Sequence, residues 1–297
     1  METNLKRIIS AFVLLLLAFA APASASDRLQ IVASFSILGD MVRQVTDDLA
    51  DVTTIVGPDA DVHLYQPNTA DAKAVAGADI VFINGLGFET WSDALINNAG
   101  GDASVIVASV GVEPILVDGE IDPHGWNALN NGIIYVENIA AAMAAADAGN
   151  DDACKANAVS YIAKLHALPA SAADRFGSLT EGGRTVATAH DAFGYLADSY
   201  ELKFLAPVGI DTEAEPSASE LAALIVHMKE TGVGALFVEN ITSPALIEQI
   251  SKETRLKVCG RLFSDVLSER GGPATIYVAM FEHNLEALMT ELRESGI

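Results

Sequence analysis

The sequence predicts an α/β protein of two lobes, each a mostly parallel sheet flanked by helices, joined by one long helix. Three observations carry this. Short apolar runs rich in β-formers alternate with stretches of helical spacing. The strand runs are largely apolar, as suits parallel strands covered on both faces. The alternation gives way to helix alone near Leu129 and restarts near Thr185.

In the first half, strands are expected at Gln30 to Phe35, Val52 to Val56, Asp79 to Asn84 and Ser104 to Val110, with helices over Leu38 to Leu49, Ala70 to Ala76 and Glu89 to Asn97 between them. Gly57-Pro58 closes the second strand. A helix over Leu129 to Ala148 ends at Gly149-Asn150. The next begins at Asp151-Asp152, whose charges suit a helix N-terminus, and runs to about Phe176 with a kink or break at Pro169. The second half has strands at Thr185 to Thr188, Phe204 to Val208, Ala235 to Val238 and Leu256 to Leu262. Its helices cover Ala192 to Tyr200, a segment capped by Ser217 and Glu220, one opened by Ser243-Pro244, and Ile276 to Glu294. The expected division is a leader (1–25), an N-terminal lobe (26–150), a connecting helix (151–177) and a C-terminal lobe (178–297).

The leader reading rests on Lys6-Arg7, the uncharged run Ile8 to Ala21, and the small-x-small stretch Ala23-Ser24-Ala25. The run falls short of the roughly 20 residues that span a bilayer. A secretory signal peptide cut after Ala25 and a periplasmic protein are therefore expected. No cysteine lies near the cut, which argues against a lipidated form. The formal charge is −23, and cleavage would make it one unit more negative. Such a chain is repelled by nucleic acid and by anionic lipid, and no nucleic-acid partner is expected. The charge suits a cation ligand, although acidity for solubility explains it equally well. An oxidising compartment would permit a disulfide between Cys154 and Cys259, which fall in different halves of the chain.

Six histidines divide by context. His166, His227 and His283 lie inside expected helices without a second histidine at i+3 or i+4, and read as structural or surface residues. His63, His124 and His190 lie in turns just past strands. Asp265 follows the last strand in the same way. Ligands of parallel α/β sheets bind in the crevice beyond the carboxyl ends of strands. Two facing lobes could bring these four residues onto one ion, but by themselves they do not single out a metal site.

The surrounding segments are more specific. They are the opening strand Ile31-Val32-Ala33-Ser34-Phe35-Ser36, then Asp61-Val62-His63-Leu64-Tyr65-Gln66-Pro67, Asp122-Pro123-His124-Gly125-Trp126, His190-Asp191-Ala192-Phe193-Gly194-Tyr195, Phe237-Val238-Glu239 and Ser264-Asp265. In order and spacing, over nearly the whole chain after the leader, they resemble the metal-binding solute-binding proteins of zinc and manganese ABC importers (cluster A-I, zinc-uptake type). The resemblance implies a metal site in the interlobe cleft with His63, His124, His190 and Asp265 as ligands. It implies no catalytic residues, an ABC importer permease in the inner membrane as partner, and a possible periplasmic metallochaperone besides. A monomer fits the class. Two departures stand out. Val62 replaces the usual proline, which puts the local turn in question. The histidine-rich loop common before the second ligand is reduced to Val117-Asp118-Gly119-Glu120-Ile121.

Three imidazoles and one carboxylate suit Zn²⁺, whereas Mn²⁺ prefers more oxygen. Manganese binders of the resembled family tend to carry Glu at the third position, where this chain has His190. Zinc is therefore the expected cargo, with Mn²⁺ or a mixed specificity as the alternative. Asp61, Asp191 and Glu239 are candidates to orient the rings, Glu239 foremost. The rival readings are a zinc hydrolase, a metallochaperone without importer, and a binder of an organic solute. Against the hydrolase, Asp265 occupies the position a catalytic water would need and no H-E-x-x-H motif is present.

Overall fold

The computed structural model describes residues 28–168, 172–180 and 182–294. The leader expected over 1–25 and the break expected at Pro169 lie outside the described residues.

The first sheet contains β1 (Leu29–Phe35), β2 (Ala50–Val56), β3 (Ile80–Ile83) and β4 (Ser104–Val107), all parallel, in the order β2-β1-β3-β4. The helices α1 (Ser36–Thr46), α2 (Thr69–Ala76) and α3 (Ser92–Ala99) make the crossovers. The second sheet contains β7 (Thr185–Ala187), β8 (Lys203–Leu205), β9 (Ala235–Glu239) and β10 (Val258–Leu262), also parallel, ordered β10-β9-β7-β8. Its helices are α7 (Gly194–Tyr200), α8 (Ala218–Thr231) and α9 (Ala245–Thr254), and α10 (Tyr277–Glu294) closes the chain. Between the sheets lie α4 (Leu129–Ala146), α5 (Asp151–Ala167) and α6 (Ala172–Gly177). The described stretch after Asn150 is thus two helices, the first ending at Ala167.

Two capping boxes fix helix starts. Ser217 and Glu220 cap α8 as expected, and Asn68 and Asp71 do the same for α2. A two-stranded antiparallel hairpin, β5 (Leu116–Val117) with β6 (Glu120–Ile121), was not expected. Its tip is Asp118-Gly119, both at positive φ (52° and 92°), the geometry that a two-residue hairpin turn requires. Cys154 and Cys259 are both free, the first buried and the second partly exposed. Of the helical histidines, His166 and His227 are exposed, and the His283 ring packs on Phe263 with Nε2 3.0 Å from the Arg261 carbonyl.

The lobes share one apolar core. A single cluster runs from Ile31 in β1 to Leu292 in α10, while a smaller one under α8 and α9 belongs to the second lobe alone. Polar contacts reinforce the junction. Asp40 of α1 accepts the backbone N–H of Tyr277 at 2.9 Å, and the Tyr277 hydroxyl donates to the Trp126 carbonyl at 2.5 Å. Burial pushes the Asp40 carboxyl up, and the Tyr277 N–H, Gln44 and Arg43 only partly offset this. No helix among the described residues is long and apolar enough to cross a membrane.

Candidate metal centre

Each of the four expected ligands sits past the carboxyl end of a strand. His63 follows β2, His124 follows the hairpin, His190 follows β7 and Asp265 follows β10. The facing lobes bring one donor atom from each to within 4.8 Å of the others. Asp265 Oδ2 lies 3.2 Å from His63 Nε2 and 3.6 Å from His190 Nε2, while its Oδ1 lies 3.6 Å from His124 Nε2. Tetrahedral bonds of about 2.0–2.1 Å to one ion would separate the ligand atoms by about 3.3 Å. The three imidazole Nε2 atoms and both Asp265 oxygens are buried without a hydrogen-bond partner. Buried polar atoms are ordinarily paired, so five orphans facing one point fit a cation.

Local contacts aim each ring. Asp122 Oδ1 lies 2.7 Å from His124 Nδ1 and also accepts the His124 backbone N–H. A carboxylate can only accept, so Nδ1 carries the proton and Nε2 presents a lone pair inward. Glu239 Oε1 takes the backbone N–H groups of Ala189 and His190, each at 2.8 Å. Glu239 Oε2 lies 2.6 Å from His190 Nδ1, a close charge contact rather than a well-aligned hydrogen bond. Burial opposes the charge on His190, but Glu239 and Asp265 together outweigh it and raise its pKa well above the ordinary imidazole value. Burial likewise opposes ionisation of Asp265, yet the nearby charge of His190 and His124 holds its carboxyl well below the usual range.

The His63 loop is built differently. Asp61 Oδ1 accepts the backbone N–H of His63 (2.9 Å) and of Leu64 (3.3 Å), forming the tight turn without proline at position 62. Val62 is itself buried, and its carbonyl accepts from the Trp91 indole. Thr212 of the opposite lobe donates to Asp61 Oδ2 at 2.7 Å. Among the described residues no carboxylate partners Nδ1 of His63.

The comparisons with known proteins bear on this geometry. Residues 31–291 match the family described as zinc-uptake complex component A, periplasmic. The chain belongs to that family. It is 30% identical over 277 residues to the metal ABC transporter substrate-binding lipoprotein SsaB of Streptococcus sanguinis, covering 90% of each chain. It is 31% identical to the manganese ABC transporter substrate-binding lipoprotein scaA of Streptococcus gordonii, over 93% of this chain and 96% of that one. The manganese-bound periplasmic metal-binding protein of Candidatus Liberibacter asiaticus superimposes with a TM-score of 0.82 at 30% identity, covering 89% of this chain and 100% of the other. The chain is thus a metal-binding, substrate-binding protein of an ABC transporter, working with a membrane permease and ATPase, and not an enzyme.

Within this zinc-uptake family member, the three candidate orienting acids take different roles. Glu239 holds His190 by backbone and ring, as expected. Asp61 holds the His63 backbone rather than its ring. Asp191 feels the charge of His124 and His190 but is joined to neither ring by a hydrogen bond or ion pair, and its backbone N–H goes to the Gly209 carbonyl. The residue that holds His124, Asp122, was not singled out, although its i−2 spacing matches that of Asp61 to His63. Gly194 of α7 backs directly onto Asp122. A Cβ there would sit 2.5 Å from Oδ2 of that carboxylate, which the His124 ring and backbone already fix.

Two further supports were also missed. Trp126 Nε1 (2.7 Å) and Asn127 Nδ2 (3.3 Å) both donate to the Ser264 carbonyl, so the His124 loop grips the residue next to Asp265 across the lobes. Phe88 packs edge-on against His63 and His124 and tilts against Trp126, giving the imidazoles an aromatic floor. Such a floor keeps water from the ligand atoms on that side.

Proposed function

We propose that this protein captures one divalent transition-metal ion, zinc in the first place, with His63, His124, His190 and Asp265, and delivers it to its importer from the periplasm. The observation that carries the reading is the convergence of five buried, unpartnered donor atoms from both lobes. Three neutral imidazoles and one carboxylate form a donor set suited to Zn²⁺. The division into a leader (1–25), lobes 26–150 and 178–297 and a connector (151–177) belongs to the same proposal. Nothing in the site calls for a separate metallochaperone.

Manganese is the second reading, and one feature favours it. Asp265 turns both oxygens inward, Oδ1 toward His124 and Oδ2 toward His63 and His190. A bidentate carboxylate would raise the coordination number, as Mn²⁺ prefers. A competition titration of the metal-free protein against a calibrated chelator decides. Tight one-to-one Zn²⁺ binding with much weaker Mn²⁺ supports zinc capture, and His190→Glu should shift preference toward Mn²⁺. Equal affinities would make this a manganese or mixed-metal protein. Weak binding of both would sink the four-ligand site.

A further inference from the structure

The ligands are not equally sealed. His124, His190 and Asp265 are 0% exposed, whereas His63 retains 6%. That exposed edge of His63 lines a cavity of about 410 Å³ open to solvent. One wall comes from the first lobe, with Leu86 and Thr90 from the turn after β3, and Glu120 from the hairpin. The other wall is the turn after β8 in the second lobe, with Ile210, Asp211 and Glu213. Glu120, Asp211 and Glu213 are all exposed, and no lysine or arginine lines the cavity.

We propose that the ion reaches its site through this vestibule, and that Glu120, Asp211 and Glu213 draw in the hydrated cation before His63 receives it. The inference rests on the metal-capture reading above and adds its route. It is more than an acidic patch because the cavity ends on His63, a buried ligand whose Nε2 has no hydrogen-bond partner. Carboxylates from both lobes converge there, so a cation in the vestibule is attracted by each wall. Clefts lined by one sign of charge speed association by about 10–10³-fold, and salt removes the gain. The acids contribute through attraction at a distance, so they accelerate arrival without belonging to the final coordination shell.

Stopped-flow uptake of Zn²⁺ alone, across a range of ionic strength, tests this. The variant Glu120→Gln/Asp211→Asn/Glu213→Gln is compared with Asp48→Asn/Asp51→Asn/Asp102→Asn, which removes the same charge near the amino ends of β2 and β4. The vestibule variant should associate about tenfold more slowly at low salt and converge on wild type at high salt. The control variant should stay near the wild-type rate. Equal slowing of both variants would overturn the vestibule in favour of overall charge, and so would an unchanged rate in the vestibule variant. A wild-type protein that takes up no Zn²⁺ would remove the site reading and its route together. Wild-type uptake with an unaffected vestibule variant removes the route alone.

Discussion

The two sides of the metal centre are built to different standards. On one side, His124 and His190 are sealed from solvent, and each has a buried carboxylate at its Nδ1. On the other, His63 has no such partner, keeps a solvent-facing edge, and hangs on a turn held by Asp61. The Asp61 turn is in turn tied across the cleft by Thr212. A ring with a carboxylate at its Nδ1 is aimed before metal arrives, whereas the His63 ring, held by its backbone and by packing on Phe88, lacks that anchor. On the proposed metal-capture reading, the difference makes His124, His190 and Asp265 a preformed half-site and His63 the ligand that closes it.

The largest test of this comparison removes one ring from each side. Both His190→Ala and His63→Ala should weaken metal binding by more than the roughly 10–100-fold expected for loss of an outer partner. Their effects on the metal-free protein should part. His190→Ala leaves Glu239 buried without its cation and should cost about 3–5 kcal/mol of stability in urea unfolding. His63→Ala leaves Asp265 with His124 and His190 still beside it and should cost distinctly less. Equal losses would erase the distinction.

Next come the supporting carboxylates. Asp122→Asn and Glu239→Gln should each weaken Zn²⁺ binding by roughly 10–100-fold, and Asp61→Asn by less, since it holds backbone rather than ring. Isothermal titration under chelator competition would rank them. A larger effect at Asp61 would reverse the assignment of the rigid side.

Acid sharpens the contrast further. Metal and proton compete for His190 Nε2, and the metal-free ring holds its proton above the ordinary value near 6.5. Binding therefore expels a proton, and affinity must fall as pH drops through that raised pKa. The decline should begin above pH 6.5, earlier than an ordinary imidazole would give. An affinity flat from pH 7.5 to 5 would count against imidazole ligation. The smallest effect is expected from Thr212→Val. It removes one partly buried tie worth about 1.5–3 kcal/mol at most, so metal release should quicken severalfold while the coordination itself stays intact.

Much of this was legible from the residues. Strand and helix periodicity located both sheets, because parallel strands buried on both faces leave continuous apolar runs such as Ile80–Ile83. The four residues that meet in the cleft were legible chiefly through the family resemblance of the segments around them, because strand-end position alone did not single them out. The hairpin went unread although Asp118-Gly119 is a strong turn signal, since strands of two residues carry no periodicity. The grip of Trp126 and Asn127 on Ser264 was also invisible. It joins residues 138 and 137 positions apart, and only the closed arrangement of the lobes brings them together. The separate roles of Asp61, Asp122 and Asp191 could not be ranked from sequence, because each is one acid beside or near a histidine. Whether such an acid meets a ring, a backbone N–H or neither is decided by φ and ψ in the turn.

The small hairpin at the vestibule rim has an evolutionary consequence. Its tip is two residues long, faces away from the core, and closes a ladder of only two pairs. Extra residues inserted between Asp118 and Gly119 would leave β5, β6 and the four ligands where they are, since exposed loop tips tolerate insertion. They would extend from the rim on which Glu120 sits. The molecule therefore separates two tasks that selection can adjust independently. The length and composition of the tip can follow the scarcity of the metal outside, while the geometry below continues to define what is kept.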